Sequence, residues 1–192
     1  MSRAFGDAGG FSAATVRGVT TSFEWHQGWP APSGMAVRQV YAWVMDPAGR
    51  VLLLAMPGGW NLPGGTPERR DADWRETLAR ELVEEADLTA CDVVPLGYQV
   101  VREDGGEPFV QLRVAARVAE WRNSTPDPDT GQVYRRVWVP IGAAAELLGW
   151  GAPGQAQAVA AAKVAVDVYG FTAAAATAQG ASDASSRVMQ LV

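Results

Sequence analysis

The sequence predicts an α/β fold, with strands on both sides of one amphipathic helix and further helices towards the end of the chain. Three observations carry this. Short runs rich in Val, Leu, Tyr and Trp recur at strand length, at Val37 to Met45, Arg50 to Met56, Val93 to Arg102 and Phe109 to Arg122. Between the second and third of these lies a segment with helical periodicity, Trp74 to Ala86. A long Ala-rich helical stretch, Ala156 to Tyr169, closes the ordered part. The chain has 192 residues, 48% of them hydrophobic, which suits one globular domain able to bury a core without disulfides or structural metal.

In order along the chain, Met1 to Ala14 is small and polar and reads as a disordered N-terminus. The domain is expected over 15–170 and a low-complexity tail over 171–192. Thr15 to Trp25 alternates loosely and reads as a first strand. His26 to Gly34 is a Gly- and Pro-rich loop. Asp46-Pro47-Ala48-Gly49 has turn chemistry between two strands, which predicts a hairpin. Arg50 to Met56 is apolar throughout, as expected of a strand covered on both faces. Pro57 to Gly65 is a loop holding two Gly-Gly pairs. Asp73 can cap the central helix, with Glu76 completing a capping box. The core-facing side of that helix is expected to comprise Trp74, Leu78, Leu82, Ala79, Val83 and Ala86. Glu103 to Glu107 is a turn between two strands, Ser124 to Gly131 a loop, Gln132 to Val139 a strand ended by Pro140, and Gly142 to Leu148 a short helix. Gly170 stops the last helix.

Composition narrows the chemistry. His26 is the only histidine and Cys91 the only cysteine, so no internal disulfide, cysteine-zinc site or triad with its histidine elsewhere in the chain can be built. The net charge is −5 without a basic stripe, which argues against a nucleic-acid polymer as partner. No apolar stretch is long enough for a membrane span and the N-terminus does not resemble a signal peptide, so the cytoplasm is the expected location.

The most informative segment is Arg80-Glu81-Leu82-Val83-Glu84-Glu85. At about 100° per residue, Glu81 lies about 60° from Glu84 and about 40° from Glu85. Three carboxylates therefore project from one side of a helix, where like charges repel. Such a cluster calls for open solvent or a compensating cation, and hard, oxygen-seeking Mg²⁺ or Mn²⁺ is the natural choice. The Gly64-Gly65 loop before it allows backbone to approach a metal or phosphate closely. Arg80 is placed to brace a glutamate.

Together, Pro63-Gly64-Gly65 and Arg80-Glu81-Leu82-Val83-Glu84-Glu85 resemble the signature of the Nudix hydrolases: Gly, five residues, Glu, seven residues, then Arg-Glu-apolar-x-Glu-Glu-x-Gly-apolar. Gly65, Arg80, Glu81, Leu82, Glu84, Glu85 and Leu88 match, and the resemblance covers Gln39 to Gly170. It departs in three places. Gly65 to Arg80 is one residue too long, the early Glu is missing with Asp71 or Asp73 nearest, and Asp87 stands in place of the late Gly.

The resemblance implies an α/β/α sandwich with a mixed sheet. It also implies a Mg²⁺-dependent pyrophosphohydrolase acting on a nucleoside diphosphate linked to another moiety, such as a nucleotide, nucleotide sugar or ADP-ribose. Glu81, Glu84 and Glu85 would be metal ligands, Arg80 would orient a glutamate, and a homodimer is plausible for the family. The general base would be one of these glutamates, or Glu103 or Glu107. The alternative is a Nudix domain that senses a nucleotide without cleaving it. Among the aromatics Trp25, Trp29, Trp60 and Tyr41, the loop residues Trp29 and Trp60 are open to base stacking or to core or lid packing. Arg135 and Arg136 are open to a phosphate or to Asp127 and Asp129.

Overall fold

The computed structural model describes residues 10–16 and 19–172. The remaining part of the expected tail and residues 1–9 of the expected disordered terminus lie outside the described residues. The chain order is β1 (Phe11–Val16), β2 (Val19–Gln27), β3 (Ala36–Met45), β4 (Val51–Met56), β5 (Gly59–Asn61), β6 (Gly64–Gly65), α1 (Trp74–Ala86), β7 (Leu88–Glu103), β8 (Phe109–Trp121), β9 (Arg135–Val139), α2 (Ile141–Leu148) and α3 (Gly151–Asp167).

The described strands form one nine-stranded sheet in the order β1-β2-β7-β8-β3-β4-β5, with β6 paired to β3 and β9 to β4. It is mixed, because β3 and β8 run parallel from Ala36 opposite Phe109 to Met45 opposite Arg117. Side chains alternate across β3 and β4. Val40, Ala42, Val44, Leu52 and Leu54 pack on Leu78, Leu82 and Ala86 of α1. Trp43, Met45, Val51 and Leu53 pack instead against α2 and α3. The sheet is thus covered on both faces, the α/β/α arrangement that the resemblance implies.

Several local expectations hold for physical reasons visible in the structure. In the turn after β3, the Asp46 carboxylate accepts from the backbone N–H of Ala48 (3.0 Å) and Arg50 (2.9 Å). Asp73 caps α1 by accepting from the N–H of Arg75 (2.7 Å) and Glu76 (3.2 Å). Glu76 reaches back one residue further than a capping box requires, to the Ala72 N–H at 2.7 Å. Gly170, at φ 71°, ends the last helix, and the Phe171 N–H closes on the Ala165 carbonyl at 2.9 Å.

Other expectations are corrected. Phe11 to Ala14, expected in a disordered terminus, lie in β1, which pairs along its length with β2 as a hairpin. The anticipated single strand Thr15 to Trp25 is therefore two. β3 and β4 share a turn but only one register pair, Met45 with Val51. Beyond it they part, because β6 takes the edge of β3 at Val40 and Tyr41 while β9 and β5 flank β4. On α1, Ala79 and Val83 face solvent, and Thr77 is buried in their stead. Its hydroxyl donates to Asp71 at 2.9 Å, so a polar side chain is buried with its hydrogen bond made. α3 begins five residues early, at Gly151, with Pro153 tolerated in its first turn where no intrahelical N–H bond is needed.

Asp87 ends α1 in the left-handed conformation, at φ 46°, where glycine is the usual residue. Its buried carboxylate accepts from the N–H of Thr125 at 3.0 Å and from the Thr125 hydroxyl. These bonds tie the helix end to the loop after β8. Replacing Asp87 with Ala removes them while keeping the strained backbone. A loss of about 1–3 kcal/mol is expected, or roughly 2–4 °C in Tm per kcal/mol for a domain of this size. Thermal unfolding of Asp87→Ala, with no measurable drop, would refute this role.

Candidate metal centre

The centre is assembled where the Gly64-Gly65 strand meets the C-terminal half of α1. Gly64 pairs with Tyr41 across β3 and β6. Its φ is 139°, and a Cβ there would run into the Val40 carbonyl. Its N–H donates to Glu85 at 3.1 Å. A Cβ on Gly65 would occupy the space of the Glu81 carboxylate. Both glycines thus let the loop backbone lie directly on two of the three glutamates.

Arg80 gathers the remaining groups. One terminal nitrogen donates to Glu81 (3.0 Å) and Glu84 (2.8 Å), the other to Asp71 (3.0 Å) and to the Thr66 carbonyl (2.9 Å). Its Nε points to the second Asp71 oxygen at 3.3 Å. Glu68 stands 3.4 Å from the same terminal nitrogen that holds Glu81 and Glu84. The guanidinium is only 12% exposed and Asp71 5%, so this pairing is shielded from water and stronger than a surface ion pair.

Arg80 faces four carboxylates here, Arg70 pairs with two of them, Glu68 at 2.9 Å and Glu84 at 3.4 Å, and Glu85 adds a fifth acidic group alongside. Burial pushes the Glu85 carboxyl up to about 8; the Gly64 N–H opposes this, and Glu81, Asp127 and Glu84 reinforce it. Burial also raises Glu81, partly offset by Arg80. Asp71 is held well below the usual carboxylate range by its hydrogen bonds from Arg80. The local excess of negative charge, built from hard oxygen donors, suits a divalent cation such as Mg²⁺ or Mn²⁺. Glu68, Glu84 and Asp129 present oxygens within 4.8 Å of one another, close enough to share one ion.

Of the residues singled out in the sequence, Arg80 holds Glu81 and Glu84, and the Gly64-Gly65 backbone lies against Glu81 and Glu85; the carboxylates grouped within 4.8 Å among the described residues are Glu68, Glu84 and Asp129, not the expected trio. Sequence reasoning did not anticipate Glu68, or Asp129 from a loop 45 residues beyond Glu84. That loop is ordered by Asp127, whose Oδ1 accepts from the N–H of Asp129 (3.0 Å) and Thr130 (2.7 Å). Asp127 lies within the loop expected over Ser124 to Gly131. Glu103 and Glu107, the base candidates outside the helix, are exposed on the β7–β8 turn, and no hydrogen bond or ion pair among the described residues joins them to Arg80 or the three glutamates.

Arg136 binds neither Asp127 nor Asp129; it donates to the Ala86 carbonyl at 2.6 Å and the Arg122 carbonyl at 3.0 Å, capping α1. Arg135 is exposed. Trp25 is fully buried and Trp60 packs on the α3-side core. Trp29 lies against Trp74 at 5.6 Å. His26 stacks on Tyr98 at 5.0 Å.

The NUDIX domain family model matches residues 35–162. This chain belongs to the Nudix family. No curated protein matches it. Among solved structures, the Escherichia coli ORF135 protein is 21% identical, with 72% of this chain and 99% of that one covered and a TM-score of 0.50. The Bacillus subtilis pyrophosphohydrolase BsRppH is 18% identical over 60% of this chain and 71% of that one, with a TM-score of 0.48. The Escherichia coli dihydroneopterin triphosphate pyrophosphohydrolase is 16% identical over 64% and 94%, with a TM-score of 0.44.

Set against the Nudix box, the irregular half acquires a geometry. Five residues separate Gly65 from Asp71, so Asp71 stands where the early Glu is expected. The extra residue falls between Asp71 and Arg80, in the stretch that holds the Asp73 cap. Asp71 engages Arg80, and Asp73 does not.

Two outcomes are expected. Because the Glu85 carboxyl is raised in the folded protein, its burial is least costly when protonated. In chelator, stability falls as pH rises from about 4.5 to about 8, by at most about 1.4 kcal/mol per pH unit from this group. Glu85→Gln flattens that fall; unfolding curves with equal slopes for both proteins would contradict it. Asp71→Asn loosens Arg80 and is expected to lower hydrolytic activity about 10–100-fold, the scale for groups that orient metal ligands, with Asp73→Asn affecting stability more than turnover.

Proposed function

We propose that this chain is a Nudix pyrophosphohydrolase that cleaves a phosphoanhydride bond in a nucleoside diphosphate linked to another moiety, with Mg²⁺ or Mn²⁺ required. The observation that carries this reading is the joint grip on the glutamates. Arg80 holds Glu81 and Glu84 from one side, and the Gly64-Gly65 backbone contacts Glu81 and Glu85 from the other.

A diphosphate carries several negative charges that repel a nucleophilic water. Glu81, Glu84 and Glu85, with Glu68 and Asp129 beside Glu84, are the residues that would hold the cations. Such ions, when bound, neutralise phosphate oxygens and lower the pKa of a bound water. Arg80 keeps the glutamates in register, and the glycine loop leaves room for a phosphate group to approach. Water attacks phosphorus, the anhydride P–O bond breaks, and two phosphate-bearing products leave. A small nucleotide-like substrate, a homodimeric enzyme and a cytoplasmic location belong to the same reading. Among the described residues, no helix is long and apolar enough to cross a membrane.

The sensor alternative draws its support from the missing early Glu. The grip of Asp71 on Arg80 weakens that support, since a carboxylate does stand at that point of the box.

The test is a panel of nucleoside-diphosphate compounds incubated with Mg²⁺ or Mn²⁺, comparing wild type with Glu84→Gln and Glu85→Gln. Turnover by wild type is expected, with each substitution lowering it by more than the roughly 10–100-fold typical of an outer-shell partner. Turnover indifferent to both substitutions would sink the metal-cluster mechanism. Tight nucleotide binding without turnover of any compound would favour the sensor.

A further inference from the structure

On the α3 face of the sheet lies a cavity of about 460 Å³, bordered by Tyr41, Asn61, Gln99, Gln111, Arg113 and Trp150, with the β1–β2 hairpin as one wall. That volume lies in the range of small-molecule sites. The cavity adjoins the metal centre through Tyr41, whose strand partner Gly64 donates to Glu85.

Arg113 is the unusual group here. It is 2% exposed, yet every acceptor it contacts is neutral: Gln157 Oε1 at 3.0 Å, the Leu112 carbonyl at 3.1 Å and Gln111 Oε1 at 2.9 Å. The rings of Tyr41 and Trp150 flank it, 4.8 Å and 5.1 Å from its central carbon. Buried charges are normally paired with an opposite charge. A guanidinium has five N–H donors, and three are used, leaving one on each terminal nitrogen. Burial lowers its pKa to about 10, so it stays cationic at neutral pH.

The glutamines around it form a closed neutral network. Gln157 donates to Gln99 at 2.9 Å, Gln99 to Gln111 at 3.4 Å, and Gln111 to Gln39. This network fixes the guanidinium plane without neutralising it. A cation built into the wall of a cavity, oriented by amides and with one donor to spare on each terminal nitrogen, suits a planar group with two adjacent acceptors.

The geometry points to the cavity as the seat of the far end of the substrate, with Arg113 selecting a group that presents two adjacent acceptor atoms, either the oxo edge of a purine or a carboxylate. This rests on the hydrolase reading above. Guanine offers such an edge through O6 and N7, whereas adenine places a donor beside N7.

The experiment compares matched pairs on wild-type protein. One arm sets guanosine-diphosphate-glucose against adenosine-diphosphate-glucose, the other uridine-diphosphate-glucuronate against uridine-diphosphate-glucose. Hydrolysis with Mg²⁺ and thermal shift in chelator are both read. We expect a KM lower by about tenfold or more, equivalent to about 1.4 kcal/mol, for the acceptor-bearing member of one pair, and a larger thermal shift for the same compound. The arm that discriminates identifies the source. Arg113→Met is expected to bring that pair within about threefold, through KM rather than kcat.

Hydrolysis of all four compounds without discrimination in either arm would overturn the proposal and leave the hydrolase reading standing. Discriminating thermal shifts without any hydrolysis would do the reverse. Neither hydrolysis nor discrimination overturns both. The pairwise preference is measured on wild type, so it stands or falls whether or not the Arg113→Met variant folds.

Discussion

The candidate metal centre depends on the reach of one side chain. Arg80 spans from the loop before α1 to the middle of that helix, and Asp71, Thr66, Glu81 and Glu84 all terminate on it. A lysine could neutralise charge at this point but could not present three nitrogens in one plane. The planar fork sets Asp71 on one edge and the two glutamates on another. It thereby fixes both the path of the connecting loop and the rotamers of the acidic helix face. The Gly64-Gly65 backbone completes the arrangement from the opposite side, because it carries no side chain that would displace the carboxylates.

The sheet supplies the rigid ground for this. β3 lies between β8 and the short β6, and its two faces serve different tasks. Val40 and Ala42 support α1 and therefore the acidic face, whereas Tyr41 opens towards the cavity. Strand alternation thus turns Val40 and Ala42 towards the acidic helix and Tyr41 towards the cavity, on opposite sides of one strand. One side concentrates carboxylates; the other holds a single cation among amides.

What was legible in the sequence was local. The acidic run from Arg80 to Glu85, the Asp73 cap and the glycine loop each depend on spacings of a few residues, and periodicity reports such spacings directly. The early carboxylate was ambiguous between Asp71 and Asp73, because both lie near the helix start and only the direction of Arg80 separates them. Asp129 and Arg113 were out of reach for a different reason. Their significance comes from neighbours 45 and 44 residues away, Glu84 and Gln157, and no periodic pattern encodes that. The parting of β3 from β4 was hidden too. A good turn at Asp46 predicts a hairpin, but which strands flank each partner is a property of the whole sheet.

The β1–β2 hairpin lies outside residues 35–162, the part that matches the family model, yet Ser12, Ala13, Ala14 and Phe23 line the cavity. The chamber is therefore composite. Its floor comes from β3, β7 and β8, within the matched part, and one side comes from the hairpin at the margin of the sheet. Changes in that piece can reshape what the chamber admits without disturbing a single contact of Arg80. The hairpin's share of the cavity wall and the contacts of Arg80 lie on separable stretches of chain, so the first can drift while the second is held.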